Sequence, residues 1–246
     1  MIDIHCHLLP GIDDGPPNLE AALALARALV EDKVHHVVCT PHVFPGRFEN
    51  RRSSIEADFA SFQRELSAAG IDLTLSFAGE VRLTPEVLPL LDAEELPYLG
   101  RLASGEATVL LEMPDGQIPL GSERFVGRLL SKGVMPVLAH PERNRAVMED
   151  HHRLEPFIDM GCMLQLTAAS VVGLFGEKAH TTARHLLEAG WVQAVASDAH
   201  NLGGRKPRMS QARAWLTKHY GAKVASQLLV MGPAAISHRP QPLQPA

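Results

Sequence analysis

The sequence predicts a single-domain α/β fold of parallel strands: an imperfect (β/α) barrel first, an open doubly wound sheet second. Three observations predict it. Seven short apolar runs alternate with helices or helical turns from end to end, which implies parallel pairing with right-handed crossovers. The 246 residues match the size of one such barrel. No repeat, linker or composition shift divides the chain, so residues 1–232 read as one domain and 233–246 as a Pro-rich C-terminal tail.

The elements follow in order. Ile2 to His7 reads as a strand. Asn18 to Lys33 reads as a helix, with Leu19, Ala22, Leu23, Ala26, Leu29 and Val30 on one face. Val34 to Thr40 is a strand rich in β-branched residues. Asn50 to Ala69 is an amphipathic helix closed by Gly70, and Leu73 to Val81 a strand. Thr108 to Glu112 is a strand and Ser122 to Lys132 a helix ending at Gly133. Met135 to His140 is a strand, and Leu154 to Met160 a short helix ending at Gly161. Met163 to Thr167 is a strand, and Lys178 to Ala189 a helix ending at Gly190. Val192 to Ser197 is a strand, followed by helices over Lys206 to Tyr220 and Lys223 to Met231. The closing RPQPLQPA is expected to be loose.

Composition excludes several classes. The chain is 46% hydrophobic with a net charge of −5, which argues against disorder. Its most apolar stretch, Ala21 to Val30, is interrupted by Arg27 and falls short of a membrane span. The opening MIDIHCHLLPG does not read as a signal peptide, so a cytoplasmic location is expected. Mild acidity and the lack of a basic stripe argue against a nucleic-acid partner. Cys6, Cys39 and Cys162 are odd in number and far apart, so no disulfide framework follows.

In a (β/α) barrel, chemistry collects at the C-terminal ends of the strands. Each strand end here carries potential ligands: His5 and His7 with Asp13 and Asp14 beyond, then His42, Glu80, Glu112, His140, Gln165 with Thr167, and Asp198 with His200. Strand side chains alternate, so His5 and His7 point one way and Cys6 the other; the same argument groups Asp198 with His200. Each residue has a bland reading. A lone strand-end histidine is more often structural, Asp14 suits a turn, Glu112 can reach water, and Glu80 can pair with Arg82 or Arg143. All these readings holding at once, in phase over seven strands, is improbable. The other histidines (His35, His36, His151, His152, His180, His185, His219, His238) fall on strand starts, helices or the tail, where surface or packing roles suffice.

The candidate set is five His, two Asp and two Glu, more than one ion needs, which implies two or three ions with a bridging carboxylate. Imidazole with carboxylate and no thiolate suits Mn, Fe or Zn better than Ca or Mg. Such clusters activate hydroxide and stabilise in-line displacement at phosphorus, so the reaction class is hydrolysis of a phosphate ester. Arg143 and Arg205 lie on loops just past His140 and His200, where a guanidinium fork suits phosphate oxygens. Arg47, Arg51 and Arg52 have weaker claims to the same rim. A cysteine-based phosphatase needs Arg six positions after its Cys; those positions hold Ile12, Pro45 and Ala168.

Several longer pieces carry a resemblance: MIDIHCHLLPGIDDGP (1–16), TPH (40–42), GE (79–80), LLE (110–112), AHPER (139–143), QLTAAS (165–170), GLFG (173–176) and ASDAHN (196–201). In this order they resemble the polymerase-and-histidinol-phosphatase (PHP) family, and within it the branch of bacterial manganese-dependent protein-tyrosine phosphatases of capsule and exopolysaccharide synthesis. The resemblance implies a distorted (β/α)7, TIM-like barrel with three metals, Mn2+ foremost. One ion would be held by His5, His7, Glu80 and Asp198, the second by Glu80, Glu112 and His140, and the third by Asp14, His42 and His200. It gives Arg143 and Arg205 the phosphate oxygens and makes them, with His42, the catalytic candidates. It implies as substrate the phosphotyrosine tail of a bacterial tyrosine autokinase; it leaves oligomeric state open. Cys6 departs from the small residue expected between the histidines. The alternatives are a small-molecule phosphatase such as histidinol-phosphate phosphatase, a metal-dependent nuclease, and a non-catalytic metal-dependent binding module.

Overall fold

The computed structural model describes residues 1–238. Its strands are β1 (Ile2–Cys6), β2 (His36–Cys39), β3 (His42–Val43), β4 (Thr74–Phe77), β5 (Glu80–Arg82), β6 (Gly100–Arg101), β7 (Ala107–Glu112), β8 (Val134–Ala139), β9 (Met163–Thr167) and β10 (Val192–Ala196). Its helices are α1 (Leu19–Glu31), α2 (Arg52–Ala68), α3 (Val87–Asp92), α4 (Ser122–Ser131), α5 (Arg145–Glu149), α6 (Glu155–Asp159), α7 (Ala168–Val171), α8 (Glu177–Glu188), α9 (Met209–Tyr220), α10 (Ala222–Ser226) and α11 (Gly232–Ile236).

β1, β7, β8 and β9 are buried on both faces over nearly their whole length, as parallel strands covered by helices must be. Every residue of β7 is buried. One parallel sheet runs β1-β2-β4; the other runs β10-β9-β8-β7-β5-β3, with β6 antiparallel to β7. The two meet at both borders. Asp198 N donates to His5 O (2.8 Å) and His7 N to Ala199 O (2.9 Å), tying β1 to the end of β10. Ala78 N donates to Cys39 O (2.8 Å) and Glu80 N to Pro41 O (3.0 Å), carrying the pairing across the other border.

The helices form where the sequence places apolar faces and caps. Asn18 caps α1 by accepting from Ala21 N (3.0 Å), and the helix buries Ala22, Leu25, Ala26 and Leu29. Leu19, expected on that face, is 36% exposed, because the face turns one residue further round. α4 and α8 stop ahead of Gly133 and Gly190, whose φ of 72° in both cases an L side chain would resist. α9 begins at Met209, later than the expected Lys206. Asp32, at the end of α1, accepts from Met209 N (2.6 Å) and Ser210 N (3.1 Å), a cap supplied from a remote part of the chain.

One strand expectation is corrected. Leu73 to Val81 is two strands. A Cβ on Gly79 would lie 2.5 Å from Pro97 Cγ and 2.7 Å from Val43 Cγ2, and at this close approach the chain steps from pairing with β2 to pairing with β3. The expected boundary at 232 falls at the start of an ordered segment. α11 follows a π-helical turn (Gln227–Met231), and beyond it Thr108 Oγ1 donates to Ile236 O (2.7 Å) and Arg101 N to His238 O (2.8 Å). The RPQPLQPA segment, residues 239–246, lies outside the described residues. No helix among the described residues is long and apolar enough to cross a membrane.

Candidate metal centre

The site forms where strands end. β1 delivers His5 and His7 to one side; Cys6 faces the other way into the apolar core, as strand alternation requires. β3 and β5, paired in register His42 to Glu80, bring those two side by side. β7 ends in Glu112. His140 and Asp198 follow β8 and β10 with left-handed backbones (φ 32° and 52°), a strained conformation for residues with a Cβ. Asp198 and His200 do meet, Oδ1 to Nδ1 at 3.6 Å, but through this turn and not through strand alternation, since β10 stops at Ala196.

All nine sequence-predicted ligands converge. They form four overlapping groups: His7, Asp14, His42 and His200; His5, His7 and Glu80; His5, His140 and Asp198; His42, Glu80 and Glu112. Within each group the ligand atoms lie within 4.8 Å of one another. Glu80 is central. Its Oε2 is 3.3 Å from His5 Nε2, 3.2 Å from His7 Nε2 and 3.0 Å from His42 Nδ1, and its Oε1 is 2.8 Å from His140 Nε2. Asp14 Oδ1 is 3.3 Å from both His42 Nε2 and His200 Nε2.

Glu80 Oε2, Asp198 Oδ1 and His200 Nε2 are buried and make no hydrogen bond. Buried polar atoms are rarely left so, and these aim into a cluster of further donors. His5 Nδ1 meets Gln165 Oε1 (2.8 Å) and His7 Nδ1 meets Asp13 Oδ2 (2.7 Å), so each ring donates there and turns its Nε2 lone pair inward. Imidazole and carboxylate lone pairs converging without thiolate fit divalent transition-metal ions.

The electrostatics agree. Burial penalises the His5 cation, yet Glu80 and Asp198 outweigh it and push its pKa up to about 9. For His42, burial is again outweighed, by the close carboxylates of Asp14 and Glu80, and the pKa rises to about 11. Burial and the neighbouring His7 cation push His200 down to about 4. Glu80 and Asp198 are held well below the carboxylate range; for both, burial opposes the shift and His5 leads the groups that overcome it. Glu112 is raised by burial and by Glu80. The cluster is a sink for positive charge.

Arg143 and Arg205 border this centre from two loops. Arg143 closes a 3₁₀ turn (Pro141–Arg143), and its Nη1 donates to Asp198 Oδ2. Arg205 Nη2 donates to the same oxygen at 2.6 Å. The loop carrying Arg205 is fixed by His200 N donating to Arg205 O (2.9 Å) and Arg205 N to Asn201 Oδ1 (3.2 Å). A cavity of about 150 Å³ opens over the cluster, walled by Asp14, His42, Glu112, His140 and both arginines, with Phe44, Phe48, Arg47, Arg82 and Asp115 around them. Arg47 thus reaches the rim; Arg51 and Arg52 instead open α2 and do not line the cavity.

The structure adds residues to those read from sequence. Arg82 pairs with Glu112 (2.8 Å) and not with Glu80. Asp13 also accepts from His42 N (3.0 Å), so it sets two ligands without facing the cluster. Phe48 lies flat against His42, with centroids 5.4 Å apart and planes at 9°. Its spacing six residues after His42 carries no sequence signal.

With this arrangement established, relatives become informative. The family described as "Capsular polysaccharide synthesis, CpsB/CapC" matches residues 1–238. The chain belongs to the CpsB/CapC family. It is 34% identical to the tyrosine-protein phosphatase CpsB of Streptococcus pneumoniae, over 96% of this chain and 98% of that protein. It is 31% identical to the tyrosine-protein phosphatase YwqE of Bacillus subtilis, over 99% of this chain and 97% of that one. A chain from the crystal structures of YwqE and the pneumococcal CpsB, described as unique metal-dependent tyrosine phosphatases, superposes with a TM-score of 0.88 at 30% identity, covering 100% of both chains. The CpsB/CapC family therefore accounts for the resemblance carried by the motifs. The nine-residue cluster is the part of this member able to hold metal.

Proposed function

We propose that this CpsB/CapC member is a metal-dependent protein-tyrosine phosphatase that hydrolyses phosphotyrosine without a cysteine nucleophile. One observation carries the reading. Glu80 Oε2 lies within 3.3 Å of three imidazole nitrogens yet makes no hydrogen bond, and the arginine pair stands beside it on Asp198. The reading places the ligands on one distorted (β/α)7 barrel spanning the two sheets, as a single domain with a Pro-rich tail.

In this reading His5, His7, Glu80 and Asp198 would hold one ion, Glu80, Glu112 and His140 a second, and Asp14, His42 and His200 a third. Mn2+ is the foremost candidate, with Fe or Zn next. Divalent ions in such sites supply Lewis acidity and make a water-derived nucleophile available at neutral pH. The chain's own residues do the rest. Glu80 and Asp198 stay ionised at neutral pH, because the cationic groups around them hold their pKa values down. Gln165 and Asp13 fix the ring orientations of His5 and His7. The Arg143 and Arg205 guanidinium groups take phosphate oxygens as charge builds on them. A phenol, with a pKa of ~10, leaves readily and needs little help from a general acid.

The substrate proposed is the phosphotyrosine tail of a bacterial tyrosine kinase in the capsule pathway, met in the cytoplasm. Metal analysis of the purified chain, with p-nitrophenyl phosphate and phosphotyrosine-peptide turnover before and after chelation, tests the reading. Turnover lost on chelation and restored by Mn2+ is expected. Faster turnover of histidinol phosphate than of the peptide would replace the substrate, and no turnover with metal fully bound would leave a binding module.

A further inference from the structure

The cavity over the metal ligands is small and charged, about 150 Å³, which suits a phosphoryl group and little more. A second chamber of about 320 Å³ adjoins it, lined by Arg143, Met148, Phe175, Ala179 and Arg205. Both arginines line both spaces. An ester whose phosphoryl oxygens meet Arg143 and Arg205 can therefore place its leaving group in the second chamber.

The remaining walls of that chamber are apolar. Phe175 stands on the turn between α7 and α8, flanked by Gly173 and Gly176 with φ of 82° and 93°. The two glycines let the chain reverse sharply enough to present Phe175 beside the arginines. The Arg143 guanidinium sits over the Phe175 ring at 5.0 Å from its centroid. Phe44 and Phe48 line only the charged cavity, where Arg82 covers Phe44 at 5.3 Å and His42 is stacked on Phe48. The division is polar space for the phosphoryl group and apolar space for whatever it leaves.

We propose that the chamber beside Arg143 is an aryl subsite, in which Phe175 and Met148 bind the aromatic ring of the leaving group and select aryl over alkyl phosphates. This rests on the phosphatase reading above. Phe175 offers an edge or offset face for ring contact, and the Met148 thioether a polarisable partner; an alkyl group gains little from either.

Calorimetric binding of phenylphosphonate, methylphosphonate and inorganic phosphate to the Mn-loaded chain tests it. Phe175→Leu should weaken phenylphosphonate roughly 5- to 10-fold. Methylphosphonate and phosphate, which report on the arginines and metals, should stay within about 2-fold of wild type. Phe175→Tyr should restore phenylphosphonate binding, and Met148→Ala should weaken it selectively. Equal weakening of all three ligands in Phe175→Leu would mean that Phe175 only props Arg143, and would overturn the subsite; so would no change in any of them. Wild-type turnover of p-nitrophenyl phosphate separates the two levels. Its absence removes the phosphatase reading and this inference with it, whereas its presence with unselective variants removes the subsite alone.

Discussion

The Nε2 atoms of His5 and His7 face each other at 3.3 Å, while each ring's Nδ1 is engaged elsewhere, by Gln165 and Asp13. To bind a metal both Nε2 atoms must offer lone pairs on the same side, and the outer hydrogen bonds hold the rings in the pose and tautomer that this requires. Removing one leaves the ligand present but free to rotate or change tautomer. Gln165→Ala should weaken metal binding by roughly 10- to 100-fold with the fold intact, as seen by metal titration alongside a thermal melt. Wild-type metal affinity in that variant would mean that the ring is held by packing alone.

A second expectation concerns protons. Without a cation, His5 and His42 have pKa values raised to about 9 and about 11, with burial opposing and the neighbouring carboxylates prevailing. Both rings are then protonated near neutrality, and a divalent ion must displace those protons. Binding should release protons, and affinity should rise with pH until each raised pKa is passed, by about 10-fold per pH unit for each proton released. Calorimetry in two buffers of different ionisation heat measures the count. A pH-independent affinity between about pH 6 and about pH 8 would show that the rings bind metal from the neutral state.

Arg143 and Arg205 meet one oxygen, Asp198 Oδ2, from two separate loops. Their fork geometry is what suits them to phosphate, and lysine keeps the charge without the fork. Arg143→Lys and Arg205→Lys should each lower kcat/KM on p-nitrophenyl phosphate by about 10²-fold or more. Metal content should not change, because neither residue is a ligand. Loss of metal in these variants would assign the arginines to holding Asp198 in place.

Much of this site was legible in the sequence, for a definite reason. Parallel strands with helical returns put every strand end on one rim, so His5, Glu112 and His140 could be grouped from their phase alone. Other parts lacked any periodic signal. β3 has two residues and β6 has two, too few to alternate. In the Asp13-Asp14 pair, turn chemistry fits both residues; only the folded chain separates Asp14, on the ligand side, from Asp13, which supports His7 and His42. The Asp32 cap on α9 joins positions 177 residues apart. Asp198 was grouped with His200 correctly but for a reason that its left-handed backbone replaces.

The three thiols give a further test of the chemistry. Burial raises Cys6 and Cys39 well above the ordinary thiol range and pushes Cys162 up to about 12. None forms the thiolate that attack on phosphorus or on an alkylating reagent requires. Native protein treated with iodoacetamide should keep its full turnover, and mass spectrometry should find the cysteines unmodified until denaturant is added. Inhibition in step with labelling of one cysteine would contradict the metal-based reading.

Stability away from the site should hinge on Gly232, the first residue of α11. Its backbone is helical, so no unusual φ is at stake; the constraint is space. A Cβ there would lie 2.0 Å from Gln193 O and 3.0 Å from Gln227 O. Both are main-chain oxygens, so no side chain can swing aside and the helix itself must lift from β10. That lift also strains the contact of Ile236 O with Thr108 Oγ1 in β7, on the same short helix. Gly232→Ala should cost about 1–3 kcal/mol, the usual range for overpacking, read as a lower urea midpoint at unchanged slope. The metal ligands sit on other elements, so turnover per folded molecule should match wild type. A midpoint equal to wild type would mean that α11 is not seated against Gln193 as closely as these distances require.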